Sequence, residues 1–147
     1  MQRPANGILI TRQGTLDEIS LDVSIRRDAL AFATRVYATD GQLRSEAAKL
    51  ARALEHVFDA PERPDILLSV GPKLPHSPSF EVAIRVERLG HVRALVNMIA
   101  ALPDSAAPGS DTCTIHLTSD LACRDAFAVQ LSGLSKQDGS TAQLLAE

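Results

Sequence analysis

Three stretches of the chain alternate apolar and polar residues with almost no interruption. They are Ile19-Ser20-Leu21-Asp22-Val23-Ser24-Ile25, Phe80-Glu81-Val82-Ala83-Ile84-Arg85-Val86 and Cys113-Thr114-Ile115-His116-Leu117. A period of two describes a strand with one buried and one wet face. Parallel sheets are covered on both faces, so wet faces point to antiparallel pairing. The polar side of such a sheet is free to meet something.

The remaining elements follow from turn and cap signals. Gly7 to Thr11 reads as a short strand closed by Gly14. Asp17 to Arg26 is the first clean strand, and Ala29 to Ala38 is its hairpin partner across a short polar turn. Thr39 and Gln42 fit a capping box. Leu43, Ala47, Leu50, Leu54 and Val57 then make one apolar stripe at helical spacing, stopped by Pro61 and Pro64. Asp65 to Val70 reads as a strand, and Gly71 to Ser79 is a loop with three prolines. Phe80 to Glu87 is the second clean strand. Residues 91–102 fit two templates: Val92, Leu95, Val96 and Ile99 are helical, whereas Val92, Ala94, Val96, Met98 and Ala100 are a strand. A flexible loop over 103–111 precedes the third clean strand, Thr112 to Thr118. It runs through Ser119-Asp120 into a helix with a stripe of Cys123, Phe127, Leu131 and Leu134.

A repeat is visible. Leu43, Ala47 and Leu54 lie three, seven and fourteen residues after Asp40, as Cys123, Phe127 and Leu134 do after Asp120. Two explanations stand: any amphipathic helix after a strand, or a duplicated unit of antiparallel strands followed by one helix. The expected fold is α+β: a largely antiparallel sheet of about six to seven strands with two amphipathic helices packed on one face. Residues 1–136 read as a single domain and 137–147 as a flexible, polar C-terminal tail.

Composition narrows the function. The 147 residues are 45% apolar and 22% charged, ordinary for a globular domain. With only 3% aromatics and no Trp, the core must be built from Leu, Val, Ile and Ala. A net charge of −3 and few stacking rings argue against nucleic acid as a partner. Arg26-Arg27 is too short a basic cluster to change that. The two cysteines make no disulfide framework. The N-terminal residues lack the apolar core of a signal peptide, and no apolar run is long enough for a membrane helix. The expectation is a cytoplasmic protein without a membrane partner.

Candidate chemistry is thin. Cys113 and His116, three apart on a strand, point to opposite faces and cannot share a site. Cys123 sits on an apolar helix stripe. His56, His76 and His91 have no HExxH or CxxC partner. Gly71-Pro72-Lys73 lacks the P-loop spacing, and no GxGxxG or GxSxG occurs. No catalytic residue, metal ligand or cofactor is therefore assigned. Glu18 and Asp22 share a strand face with Ser20 and Ser24, as expected of a solvated or partner-facing surface. The partner-binding candidates are Glu18, Asp22, Glu81 and Arg85.

The step Tyr37-Ala-Thr-Asp-Gly-Gln-Leu43, with Ala47 and Leu50 after it, resembles the strand-to-helix step of small bacterial immunity proteins of the WapI type. So do Val86-Glu-Arg-Leu-Gly-His-Val92, Ile115-His-Leu-Thr-Ser-Asp-Leu121 and Phe127-Ala-Val-Gln-Leu131. The likeness spans residues 15 to 135 and departs from the family in having no Trp. It implies a strand over residues 91–100. It also implies a non-enzymatic protein that binds and neutralises a polymorphic toxin, as a monomer or weak dimer. Two other functions stand beside it. One is a small-ligand-binding or enzymatic domain with a pocket between sheet and helices, served by His91, His116 and the carboxylates. The other is an assembly unit using Leu95 to Leu102 as an exposed apolar surface.

Overall fold

The computed structural model describes residues 5–14, 18–55, 66–71, 77–87, 90–101, 110–134 and 139–147. The chain is α+β, with eight strands and two helices. The order is β1 (Gly7–Gln13), β2 (Glu18–Arg27), β3 (Leu30–Thr39), α1 (Asp40–Glu55), β4 (Ile66–Val70), β5 (Ser79–Val86), β6 (His91–Ala101), β7 (Ser110–Asp120), α2 (Leu121–Gly133) and β8 (Thr141–Leu145). The strands form two antiparallel four-stranded sheets rather than the one larger sheet expected. Sheet A has the order β3-β2-β1-β8 and sheet B the order β4-β5-β6-β7. Alternation marks one wet face per strand but does not say which strands share a sheet.

These orders are those of a duplication. Each half is a three-stranded meander, a helix and a final strand, and that strand crosses to the other half's sheet: β4 joins β5, and β8 joins β1. The inner-facing residues superimpose in register. Val23, paired with Ile10 and Thr34, corresponds to Val96, paired with Val82 and Ile115. The helices align from their caps. Thr39 accepts the amide of Gln42 and offers its own amide to the Gln42 side chain, each at 3.2 Å. Asp120 accepts the amide of Cys123 at 2.8 Å. Counted from these two caps, buried Leu43, Glu46, Ala47 and Leu50 match buried Arg124, Phe127, Ala128 and Leu131. The repeat is therefore real, but its register starts at Thr39 rather than Asp40.

The inner faces of both sheets and one face of each helix bury a single apolar cluster, including Ile8, Ile10, Leu21, Val23, Phe80, Val82, Val96, Ile115, Phe127 and Leu131. Residues 91–101 are a strand, with Val92, Ala94, Val96 and Met98 turned inward. Leu95 and Ile99 are half-buried, so this stretch presents no continuous apolar surface. The expected flexible tail is corrected by β8, where Ala142 and Leu144 are fully buried against Ile10 and Ile8. Pro61, Pro64, the loop around His76, residues 102–109 and the Leu54 and Val57 side chains lie outside the described residues.

One buried cation ties the layers. Arg12 occupies the place that Ile84 holds in the other half. Its guanidinium donates to the Leu134 carbonyl at the end of α2 and lies 3.1 Å from Asp40 at the start of α1. Its Nε donates to the Gly14 carbonyl at 3.1 Å.

Candidate functional site

The two outer faces differ in what they leave unsatisfied. On sheet B, Ser69, Glu81, Asn97 and Thr114 stand in one cross-strand row. Thr114 donates to the Asn97 side chain at 2.7 Å, and Ser69 to Glu81 at 3.5 Å. In a neighbouring part of this face, Arg93 pairs with Glu87 at 3.0 Å. Such a face pairs its polar groups with one another.

Sheet A is built differently. The register stacks three outward rows: Ala31-Arg26-Gly7, Ala33-Ser24-Leu9 and Arg35-Asp22-Thr11. Gly7, Ala31, Ala33 and Ser24 supply almost no side-chain bulk, so the face is hollowed along the strands. One cavity of about 480 Å³ lies over the first two rows, and another of about 660 Å³ over the last two. They share Leu9, Ser24 and Ala33, which makes one continuous trough across β1, β2 and β3.

Its ends carry charge. Asp22 and Arg35 neutralise each other at 2.8 Å. At the other end, no hydrogen bond or ion pair among the described residues engages the Arg26 side chain. Its neighbour Arg27 turns away and donates to the His116 carbonyl at 3.0 Å. Around the trough, the outward residues Leu9, Tyr37 and Leu145 are 38%, 53% and 44% exposed.

Strand geometry scatters the residues nominated from sequence. Asp22 lines the trough. Glu18 opens β2 opposite Thr39, and its side chain lies outside the described residues. Glu81 and Arg85 sit on the outer side of sheet B, facing away from Asp22. Asp22 and the pair Glu81 and Arg85 thus belong to different sheets. Cys113 is half-buried on the inner side, and His116 is exposed on the outer side. His91 lies opposite Asp120 and His116 opposite Leu95, about 14 Å apart along the strand. His56 and His76 are outside the described residues. Cys123 lies beside a small groove of about 220 Å³ with Asp120, Gln130 and Gln143. Burial, aided by Asp120, pushes its thiol pKa up, away from nucleophilic thiolate. Among the described residues, no group of three or more His, Cys, Asp or Glu could hold a metal ion. No helix among them is long and apolar enough to cross a membrane.

The chain matches no family model, no curated protein and no solved structure. Arg35 and the Gly7, Ala31 and Ala33 floor carry no signal in the sequence, where Arg26 reads only as half of a short basic pair and Ser24 as part of the polar face of β2. Their meaning depends on the register of three strands, and alternation within one strand does not carry that information.

Proposed function

We propose that the chain is a protein-binding module that neutralises a cognate bacterial toxin, and that it engages this partner through the outer face of sheet A. The trough carries the reading. Its floor of small residues carries Arg26, which has no partner among the described residues, and exposed Tyr37 lies beside it; Tyr and Arg are enriched at the centres of protein interfaces. The toxin as partner rests on the resemblance to WapI-type immunity proteins. A flat, small-residue floor on a sheet over a filled core loses little entropy on binding, which favours recognition of a preformed surface. The ligand-pocket reading places its cavity between sheet and helices; among the described residues, the inner faces there carry the buried apolar cluster.

The test is a pull-down of tagged protein against the products of neighbouring open reading frames, followed by calorimetry and growth rescue. A nanomolar complex with a toxin-bearing protein, together with rescue of growth, is the expected outcome. A chain that rescues no neighbouring toxin, and carries a bound small molecule in native mass spectrometry, overturns the reading.

A further inference from the structure

The trough specifies the kind of element that docks in it. We propose that its occupant is an amphipathic helix of the protein partner, with an acidic residue placed on Arg26; this rests on the protein-binding reading above. Three observations carry it.

The first is dimension. The three rows are two residues apart along the strands, so the trough runs for about 14 Å, the rise of about nine helical residues. From β1 to β3 it is two strand spacings wide, about 10 Å, close to the diameter of a helix.

The second is backbone satisfaction. The floor is a sheet face: β1 and β2 are paired on both sides, and the groups that β3 leaves unpaired at the sheet edge point sideways, not up into the trough. An extended peptide lying there would find no partners for its own backbone groups. A helix arrives with those groups already paired, and Gly7, Ala31, Ala33 and Ser24 let its ridge approach closely.

The third is charge. Among the described residues the Arg26 guanidinium is the one charge of the trough without a partner, whereas the Asp22–Arg35 end is neutral as a pair. A carboxylate one or two turns along the apolar stripe of the docking helix satisfies Arg26 in a partly desolvated setting. A lysine there meets like charge.

The probe is a displayed library of sixteen-residue helical peptides with a fixed apolar stripe and randomised flanking positions, selected on the full chain. The expected result is enrichment of Asp or Glu at one flanking position. Fluorescence anisotropy of the selected peptides should show at least tenfold loss with Ala33→Trp, which fills the floor, and a switch to Lys-bearing peptides with Arg26→Glu. Both substitutions are on the open face, and circular dichroism checks that the fold is kept. Selection without acidic preference, or peptides indifferent to Ala33→Trp, overturns the proposal. So does self-association in ultracentrifugation that Ala33→Trp abolishes, which would assign the trough to a second copy. The two readings fail separately. A toxin bound with equal affinity by the Ala33→Trp variant removes the helix site and leaves the toxin-binding function. Acidic helices selected in the trough with no toxin rescued do the reverse.

Discussion

The Glu46 carboxylate accepts the backbone amide of Ser69 at 3.0 Å. Glu46 is on the buried face of α1, and Ser69 is in β4, one of the two edge strands of sheet B. The other half repeats the device. In β8, one of the two edge strands of sheet A, the amide of Gln143 donates to the Gln130 side chain of α2 at 2.7 Å. Each helix thus occupies an outward amide of the strand that crossed over, which hides an edge open to strand addition. Glu46→Ala leaves the Ser69 amide without its acceptor and is expected to cost about 1–3 kcal/mol in urea unfolding. Gln130→Ala, at an exposed site, is expected to cost less. Equal costs would contradict this account.

Leu43 and Arg124 hold equivalent places in the two helices, yet one is aliphatic and the other a guanidinium 1% exposed. Among the described residues Arg124 reaches only Asp125, at 3.3 Å, and its Nη1 has no partner. Burying a charge so weakly compensated costs more than it returns. Arg124→Leu, which copies the other half, is therefore expected to stabilise by about 1–3 kcal/mol. Thermal unfolding checks it, and a lowered midpoint would mean that the arginine has a structural partner role.

Gly7 combines a φ of +133° with a backbone packed against β8. A Cβ there would collide with the Leu144 carbonyl. Gly7→Ala is expected to cost about 2–3 kcal/mol and to loosen β8 first. Hydrogen exchange should show lost protection at Ala142 and Leu144 before the rest of sheet A.

Asp120 accepts the Cys123 amide, which holds its carboxyl below the ordinary carboxylate range. A depressed pKa gives stability that is complete above the unfolded value and lost as pH falls through the folded one. Asn can still cap the helix but does not titrate. The midpoint difference between wild type and Asp120→Asn is therefore expected to shrink from about pH 7 to about pH 2.5. A difference independent of pH would contradict the role given to the carboxylate.

Much of the fold was legible along the chain. The alternation of Ile19 to Ile25 marked β2, and the Thr39–Gln42 box marked the start of α1. β8 escaped notice because only Ala142 and Leu144 carry its inner face, with Gln143 between them. Counting from Asp40 and Asp120 misses the register of the repeat by one residue: the two look alike in sequence, yet Asp40 is the first helical residue and Asp120 is a cap. The trough was illegible for a different reason. Gly7, Ser24 and Ala33 are unremarkable in sequence, and only pairing across β1, β2 and β3 sets them side by side.

In the proposed function the partner is held on the outer face of sheet A. The most direct measurement is calorimetry of the toxin recovered by pull-down against wild type, Ala33→Trp and Glu81→Lys. Ala33→Trp is expected to weaken binding at least a hundredfold, while Glu81→Lys, on the outer face of sheet B, binds as wild type does. Full affinity in Ala33→Trp with loss in Glu81→Lys would place the partner on the other sheet and contradict the account.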